Sequence, residues 1–409
     1  MPALPFKRIS VIGLGYIGLP TAAMFASRKV EVVGVDVNQN AVDMINRGEV
    51  HIVEPDLDLV VRTVVQDGYL RATTIPEPAE AFLIAVPTPF KGDNHEPDLS
   101  YIEAASKTIA PVLQRGNLVI LESTSPVGAT EAMANWLAQA RPDLSFPQIA
   151  GEESDIRIAY CPERVLPGKV MQELVTNDRV IGGMTPACSA SAASIYKIFV
   201  TADCVIASGP RAAEMAKLSE NSFRDVNIAF ANELSLICEE SGIDVWELIA
   251  LANRHPRVNI LQPGPGVGGH CIAVDPWFIV ASSPAGARLI RTAREVNDNK
   301  PEWVLKRIRD VVAQTTRPII LYGATFKADI DDIRESPSHA IIRAAATRFG
   351  GVLFVEPNVR IEIPNARQID LDEALKTDAL HVGLVAHTAF KAAAPCSGSR
   401  LDFGHVWSA

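Results

Sequence analysis

Short apolar runs alternate with stretches of helical composition through the first half of the chain. The segments 8–12, 82–86 and 118–121 read RISVI, FLIAV and LVIL, and each predicts one buried strand. Helical stretches such as 100–114 lie between them. Strands that alternate with helices over about 200 residues predict a doubly wound parallel sheet.

The pattern changes to a long helix in the middle of the chain. From about Ala212 to Ser241 the sequence contains neither proline nor glycine, and Gly242 then provides a stop of the kind that ends helices. Because the apolar side chains of this stretch are spread around it, we expect the helix to be largely buried. These side chains are Leu218, Ile228, Leu234 and Ile237.

Strand patterns return towards the end of the chain. After further helix to about 254 and over 285–313, the runs PIILYG, GVLFVEP and ALHVGLV predict a second, smaller α/β domain. The predicted fold class is α/β, with two Rossmann-like doubly wound parallel-sheet domains joined by a central helical segment that contains the long helix. The predicted domains are 1–208, 209–313 and 314–409.

Composition narrows the class of protein. The 409 residues are 48% hydrophobic and 21% charged, as in an ordinary globular protein, and no apolar run is long enough to span a membrane. A net charge of −10 argues against nucleic acid as a partner. Six scattered cysteines without a CxxC pair argue against a disulfide framework and against a metal site. Since the start has no signal-peptide pattern, we expect a cytoplasmic protein.

A glycine turn joins the first predicted strand to the first predicted helix. Gly13, Gly15 and Gly18 form the pattern GxGxxG, and Asp36 ends the next strand 18 residues later. Such glycines let a pyrophosphate reach the helix N-terminus, and the acid accepts from a ribose 2′-hydroxyl but repels a 2′-phosphate. The pattern therefore predicts NAD rather than NADP. A turn that serves packing only is the alternative.

Two threonines follow apolar strands and are candidates for the ligand site. Thr88 lies in AVPTP, and Thr130 lies in ESTSPVGAT. Loops at the carboxyl ends of the strands face the ligand in sheets of this kind, so either hydroxyl could contact a bound cofactor. The alternative for each is an ordinary hydroxyl in a turn.

A loop rich in glycine and proline delivers Cys271. It reads GPGVGGHCIAVDP over 264–276. Glycine permits positive φ and a close approach to a ligand, and proline restricts its neighbours. A free cysteine is most often a small buried hydrophobe, but a core residue does not need such a loop. A positioned thiol beside a nucleotide-binding domain predicts covalent catalysis, with the thiolate as nucleophile.

The long helix offers polar partners for this thiol. Lys217, Asn221 and Arg224 are spaced at i, i+4 and i+7, so they share one helical face. A solvated polar stripe is the alternative. Since the helix is expected to be buried, and buried basic residues need partners, the face is a candidate for the active site.

Two further segments carry candidate residues. The cluster NRHPRVN contains Arg254, His255 and Arg257, which could bind a diphosphate or could simply form a surface loop. Glu163 follows a strand in YCPERVLPG. It is either a buried general base or the partner of an ion pair.

Eight motifs together resemble the nucleotide-diphosphate-sugar 6-dehydrogenases. They occur in the family's order over nearly the whole chain, most clearly from 8 to 335: GLGYIGLP, AVPTPF, ESTSPVG, YCPERVLPG, ENSFRDVNIAFANE, NRHPRVN, GPGVGGHCIAVDP and FKADIDDIRESP. The resemblance implies an NAD-binding domain, a central segment that forms a homodimer, and a C-terminal domain that binds the UDP-sugar substrate.

The resemblance also implies a chemistry. The C6 alcohol of the sugar is oxidised to a carboxylate with two NAD+ and one water. Cys271 is implied to trap the aldehyde as a thiohemiacetal, which becomes a thioester. Lys217 and Asn221 are implied to act on the oxyanion or a proton, Asp275 to organise the lysine and a water, and Glu163 to act in thioester hydrolysis.

Matching by position implies the binding residues as well. The implied substrate contacts are Arg164, Val165, Lys217, Asn221, Arg224, His255, Arg257, Gly268 and Lys327. The implied NAD contacts are Gly13, Gly15, Tyr16, Ile17, Gly18, Asp36, Thr88, Thr130 and Arg334.

The segment NRHPRVNILQPGPGVGGHCIAVDPWF resembles the family members that act on UDP-N-acetyl-D-mannosamine. This resemblance implies that sugar nucleotide as the substrate and a role in making a bacterial surface polysaccharide, such as the enterobacterial common antigen. The same chemistry on UDP-N-acetylglucosamine, UDP-glucose or GDP-mannose, a single-step β-hydroxyacid dehydrogenase, and a non-catalytic NAD-binding protein are the alternatives. The C-terminal third departs from the family pattern, for example at Ala386, where the family usually has an acid.

Overall fold

The computed structural model describes residues 5–52, 54–92, 95–166, 168–269, 271–314, 316–391 and 394–407. The chain forms two compact units, Met1–Ser219 and Glu220–Ala409, and the division falls within one long helix. Each unit contains its own extended sheet flanked by helices. The predicted α/β fold class with two sheet domains and a long central helix is therefore confirmed.

The first unit contains an eight-stranded sheet in the order β10-β9-β8-β7-β4-β1-β2-β3, and β5 and β6 form a separate short hairpin. Strands β1 to β10 are Arg8–Ile12, Glu31–Val35, Leu70–Thr73, Ala81–Ile84, Phe90–Lys91, Glu96–Pro97, Leu118–Leu121, Arg157–Tyr160, Arg179–Gly183 and Cys204–Ile206. Helices α1 to α9 are Gly18–Ser27, Gln39–Asn46, Leu57–Gln66, Ser100–Ile109, Ala129–Ala140, Pro147–Ala150, Val170–Thr176, Pro186–Tyr196 and Pro210–Ser241.

Both faces of this sheet are buried, which explains the nearly continuous apolar runs of its central strands. Along β4, Leu83 points into one hydrophobic cluster, and Phe82 and Ile84 point into another. Side chains of β7 alternate between the same two clusters. The first and third of the quoted runs, RISVI and LVIL, coincide with β1 and β7.

One part of this sheet departs from the predicted parallel arrangement. Strand β9 pairs antiparallel with β8, and the edge strand β10 pairs parallel with β9, so β9 and β10 run opposite to the other strands. The sequence pattern could not show this reversal, because apolar alternation does not encode strand direction. The remaining neighbours in the sheet are parallel.

The second unit contains a five-stranded, fully parallel sheet in the order β13-β12-β11-β14-β15. Its strands β11 to β15 are Ile319–Tyr322, Val352–Val355, Ala366–Gln368, Ala379–Gly383 and Gly398–Asp402. Its further helices α10 to α15 are Val245–Ala252, Asp275–Ser282, Arg288–Val312, Pro337–Phe349, Leu371–Lys376 and Thr388–Lys391. Strands β11, β12 and β14 lie within the three apolar runs that predicted this domain.

The long helix α9 ends where the sequence predicts. Gly242 has a φ of 68°. Its N–H donates to Glu239 O, and the N–H of Ile243 donates to Cys238 O at 2.9 Å. These two bonds form the Schellman motif, in which a glycine in the left-handed region closes a helix.

The prediction that α9 is largely buried is wrong. Phe223, Phe230 and Ile237 are 72%, 52% and 51% exposed, and they recur at intervals of seven residues along one stripe. The buried face is instead formed by small and polar side chains, among them Ser222 and Ala229. The sequence pattern misled because here polar groups are buried against polar partners while aromatic rings face outward. Among the described residues, no helix combines the length and the apolar character that crossing a membrane requires.

Candidate active site

The three glycines of the first turn have three different physical roles. Gly13 has a φ of 91°, which favours glycine. A Cβ on Gly18 would lie 1.8 Å from Gly13 O, so only glycine lets α1 pack this closely on the turn. A Cβ on Gly15 would meet no atom of the described residues within 4 Å. Gly15 therefore leaves open space beside the start of α1, where a pyrophosphate would bind.

Asp36 is held in place by backbone donors. One carboxylate oxygen accepts from Leu14 N at 2.8 Å, and the other accepts from Asn38 N at 2.9 Å. The acid at the end of β2 is thereby fixed beside the glycine turn, while the side chain remains partly exposed. The residues present fit NAD: an open glycine turn, a helix N-terminus and a carboxylate that would accept from the ribose.

Both candidate threonines already donate their hydroxyl protons within the protein. Thr88 donates to Thr124 O at 2.7 Å. Thr130 is fully buried, and its hydroxyl donates to Glu214 at 2.6 Å. Glu214 also accepts from Gly128 N and Thr130 N, so this carboxylate of α9 caps the start of α5. Contacts of either threonine with NAD stay a prediction.

The glycine-rich loop is pressed against the loop that follows β11. A Cβ on Gly268 would lie 2.4 Å from Glu335 O and 2.8 Å from the Cβ of Phe326. Gly269, at a φ of 86°, lies against the same phenylalanine ring. The glycines therefore allow close packing of two backbone segments, and Cys271 follows directly from this packed loop.

Gly268→Ala is expected to reduce kcat/KM on the order of 100-fold, because the added methyl group forces the loop away from Glu335 and displaces Cys271. Steady-state kinetics would measure the loss. Gly264→Ala is the matched control, since among the atoms that the structure describes its Cβ would lie within 4 Å of just one, Gly266 O at 3.9 Å. Equal activity of the two variants would contradict this account.

The same loop is anchored at its start by a buried polar network. Gly264 N donates to Asn232 Oδ1 at 2.9 Å, and Asn232 Nδ2 donates to Asn297 Oδ1 at 2.8 Å. Asn297 in turn donates to Asp225 Oδ1, which also accepts from Arg294 at 2.7 Å. This network joins α9 to α12 and fixes the point at which the glycine-rich loop departs.

Three predicted catalytic residues come together in the second unit. Cys271 is exposed, and its carbonyl accepts from Asp275 N at 2.8 Å. Asp275 begins α11, is 3% exposed, and accepts from the side-chain amide of Asn221 on α9. Lys217 lies one helical turn before Asn221 on α9 and is partly buried. His270, the residue before the thiol, lies outside the described residues.

Glu163 is buried in the first unit and both its carboxylate oxygens are occupied. It is 6% exposed. One oxygen accepts from Arg164 N at 2.7 Å, and the other accepts from Arg179 Nη1 at 2.6 Å. The ion pair that the sequence offered as one alternative is therefore present, and the role of Glu163 as a base stays a prediction.

A second buried carboxylate, Glu122, lies close to the same arginine. It follows β7, is 1% exposed, and accepts from the Tyr196 hydroxyl at 2.6 Å. Burial raises the pKa of Glu122 to about 7, although the charge of Arg179 and the bond from Tyr196 both lower it. This carboxyl group is therefore half-protonated near neutral pH.

The free energy of unfolding should fall as the pH rises through the pKa of Glu122. Because its folded-state pKa of about 7 exceeds the unfolded value of 4.5, the folded protein holds a proton that the unfolded chain releases. Between pH 5.5 and pH 8 this group should cost about 2 kcal/mol of unfolding free energy, a loss that Glu122→Gln should abolish. Denaturant midpoints at both pH values measure it, with the exposed Glu240→Gln as control. The same pH dependence in both variants would refute it.

The other predicted binding residues lie mostly at the surface. Arg164 and Val165 are partly buried in the loop after β8. The remaining ones are exposed: Arg224, His255, Arg257, Lys327 and Arg334. Arg334 forms a two-pronged pair with Asp332, and the Lys327 carbonyl accepts from Thr325. Tyr16 and Ile17 are partly buried in the glycine turn.

Sequence reasoning missed the residues that hold these groups in place. They are Glu122, Arg179, Tyr196, Glu214, Asp225, Asn232, Arg294 and Asn297. The sequence does contain a signal for Glu122 and Arg179, because a charged residue next to an apolar strand is expected to be buried and to need a partner. No local signal could have named those partners.

The first unit contains an open dinucleotide-binding turn, and the second contains an exposed thiol on a packed glycine loop. Each feature is typical of NAD-dependent oxidoreductases that use a cysteine. Models of the UDP-glucose/GDP-mannose dehydrogenase family match this chain in three parts. The NAD binding domain matches 7–200, the central domain 211–299 and the UDP binding domain 320–400. The chain belongs to this family. Its cofactor is NAD, and its substrate class is the UDP-sugars.

Similar proteins cover nearly the whole chain. The UDP-N-acetyl-D-mannosamine dehydrogenase of Salmonella typhi is 64% identical over 95% of this chain and 96% of its own. An NDP-N-acetyl-D-galactosaminuronic acid dehydrogenase of Ralstonia nicotianae is 62% identical over 95% and 92%. The solved structure of a UDP-D-ManNAc dehydrogenase from Pyrococcus horikoshii is 36% identical, with a TM-score of 0.88 over 98% and 96%.

Proposed function

We propose that this enzyme oxidises the C6 alcohol of UDP-N-acetyl-D-mannosamine to UDP-N-acetyl-D-mannosaminuronate. The observation that carries the proposal is the 64% identity, over almost the full length of both chains, to a relative named for this substrate. The product would serve bacterial surface polysaccharide synthesis, such as that of the enterobacterial common antigen. A cytoplasmic location fits a reaction that consumes NAD and a UDP-sugar.

The proposed chemistry uses Cys271 as a covalent anchor. NAD+ supplies the two hydride acceptors, one for each oxidation step. Loss of a hydride from C6 and of its hydroxyl proton first converts the alcohol to an aldehyde. The thiolate adds to this aldehyde to give a thiohemiacetal, and loss of a second hydride from the same carbon and of the hydroxyl proton gives a thioester. Water then adds to the thioester carbonyl, Glu163 takes its proton, and the C–S bond breaks to return the thiolate. Lys217 and Asn221 would stabilise the oxyanion at each tetrahedral stage. Asp275 would organise Lys217 and a water, and it already accepts from the side-chain amide of Asn221.

The binding roles are proposals that follow the same match. The glycine turn, Tyr16, Ile17, Asp36, Thr88, Thr130 and Arg334 would contact NAD. The substrate would be bound by Arg164, Val165, Lys217, Asn221, Arg224, His255, Arg257, Gly268 and Lys327. We assign these functions to an NAD-binding domain at 1–208, a central domain at 209–313 and a UDP-sugar domain at 314–409, boundaries that the three family matches support.

We also propose that the chain forms a homodimer through its central domain. The outward stripe of α9 supports this, since Phe223, Phe230 and Ile237 are each more than half exposed in the single chain. Large apolar side chains in a continuous stripe are typical of a surface that another subunit covers. Sedimentation of the purified protein would measure the state, and a monomer at micromolar concentration would refute the proposal.

A second substrate has a specific observation in its favour. The relative from Ralstonia nicotianae, named for an N-acetyl-galactosaminuronic acid, is only two percentage points less identical than the first. Mannosamine and galactosamine nucleotides differ in the configuration of ring carbons, so a small change in pocket shape would select between them.

The test is the number of NADH molecules formed per sugar consumed. The purified enzyme would be given UDP-N-acetyl-D-mannosamine, its glucosamine and galactosamine counterparts, and UDP-glucose in parallel. Two NADH per sugar, with the mannosamine compound clearly preferred by kcat/KM, is the expected result. One NADH per sugar would refute the thioester route, and a preference for another sugar would refute the substrate. NAD binding without turnover would favour a non-catalytic protein.

A further inference from the structure

The carboxylate of Glu163 rests on a buried arginine that no sequence motif singled out. Arg179 opens β9, and its side chain is 2% exposed. Nη1 donates to Glu163 at 2.6 Å, and Nη2 donates to Leu174 O at 3.3 Å. The guanidinium carbon also lies 5.0 Å from the centre of the Tyr196 ring. The arginine is thus held by an ion pair, a carbonyl and an aromatic face.

A second buried carboxylate belongs to the same cluster. Glu122 accepts from the hydroxyl of Tyr196, whose ring lies against the Arg179 guanidinium, and the charge of Arg179 lowers the pKa of Glu122. The Tyr196 hydroxyl donates to one oxygen of Glu122, and the other oxygen has no hydrogen-bond partner among the described residues. Cys161 is also buried against the cluster. Without the bond from Tyr196, Glu122 would compete with Glu163 for the guanidinium.

The geometry leaves Glu163 little freedom to turn. One oxygen is bound to Arg179 and the other to the backbone N–H of Arg164, so the plane of the carboxylate is fixed. Burying a charge is costly unless a partner offsets its desolvation, and Arg179 is that partner for Glu163. A carboxylate that takes a proton from an attacking water must be ionised and aimed before the water arrives.

We infer that Arg179 is the positioning residue of Glu163 in thioester hydrolysis. The Tyr196 hydroxyl assists by donating to Glu122, because this bond keeps Glu122 from pairing with Arg179 in place of Glu163. This inference rests on the proposed function, in which Glu163 accepts the proton of the hydrolytic water. Arg179 contributes no atom to the reaction. It acts only on the last of the three steps, after both NADH molecules have formed.

The test separates the oxidation steps from hydrolysis. Full-length enzyme, UDP-N-acetyl-D-mannosamine and NAD+ would be mixed rapidly, and NADH would be followed per active site. Quenched samples would be weighed by intact mass spectrometry to detect sugar bound to Cys271. For Arg179→Lys we expect a burst of two NADH per site at nearly the normal rate, then turnover slowed at least tenfold, with the acyl-enzyme accumulating.

Coupling to Glu163 is tested by a double variant. Glu163→Gln should accumulate the same acyl-enzyme, and adding Arg179→Lys should slow its turnover no further. Arg157→Lys is the matched control, because Arg157 opens the neighbouring strand β8 and donates to the Glu152 carbonyl. Its burst and turnover should equal those of the unchanged enzyme.

Several results would overturn the inference. They are an Arg179→Lys enzyme with normal turnover, one in which burst and turnover fall together, or additive losses in the double variant. If Arg179→Lys does not fold, Tyr196→Phe provides the test: its turnover should slow with acyl-enzyme present, and adding Glu122→Gln should restore it. Unchanged turnover in Tyr196→Phe would then overturn the inference. If Glu163→Gln itself accumulates no acyl-enzyme, the proposed role of Glu163 fails instead.

Discussion

Cys271→Ser should lower kcat for the complete oxidation on the order of 1,000-fold or more. A serine hydroxyl is a far weaker nucleophile than a thiolate at neutral pH, and an ester is not the thioester that the proposed hydrolysis requires. The measurement is the rate of uronate formation together with NADH per sugar. The variant should fold normally, because Cys271 is exposed and fills no core position.

The chain offers a matched control for this substitution. Cys396 is the other exposed cysteine in the described part of the chain, and it lies just before β15, far from the glycine-rich loop in sequence. Cys396→Ser should retain full activity. If both variants were fully active, Cys271 would be a structural thiol and a single-step dehydrogenase would become the better description.

Arg294→Met should destabilise the second unit by about 3–5 kcal/mol. Arg294 and Asp225 are both buried, with side chains 2% and 0% exposed, and they form an ion pair at 2.7 Å between α12 and α9. Removing the guanidinium leaves Asp225 buried without its charged partner, even though Asn297 still donates to it. A loss of this size should lower the melting temperature by about 10 °C, measured by circular dichroism.

Two further variants identify the cause of that loss. Arg309→Met is the control, since Arg309 lies on the same helix with its side chain 63% exposed, and it should cost less than about 1 kcal/mol. Adding Asp225→Asn to Arg294→Met should restore part of the lost stability, because it removes the uncompensated charge. If Arg294→Met melted like the unchanged protein, the buried network would not anchor the glycine-rich loop as described.

Local features of the fold could be predicted well from the sequence. The apolar runs of β1 and β7 coincide with the strands because a strand buried on both faces must be apolar at nearly every position. The glycine turn and Asp36 were found because their roles depend on neighbours in sequence: Gly18 packs on Gly13, and Asp36 binds Leu14 N. Gly242 ends α9 for the same local reason.

Features that depend on distant partners could not be predicted. Matching by position predicts that Gly268 contacts the substrate, but it could not show that Gly268 also packs closely on Phe326 and Glu335, which lie far away in sequence. It left Glu163 between two roles, because Arg179 belongs to another strand. It also placed α9 in the core, since the polar partners that bury its other face, such as Arg294, lie on α12.

The family and the cofactor follow from the sequence alone, and so does the prediction of the reactive groups, because these depend on short motifs whose residues lie within a few positions of one another. How those groups are held depends on the packing of distant segments. In the structure β9 pairs antiparallel with β8, and the stripe of Phe223, Phe230 and Ile237 on α9 faces outward. Glu163 pairs with Arg179, and Glu122 is buried in the same cluster. The physical reason is that a buried charge or a close backbone contact is defined by its partner, and strand order and helix packing choose that partner.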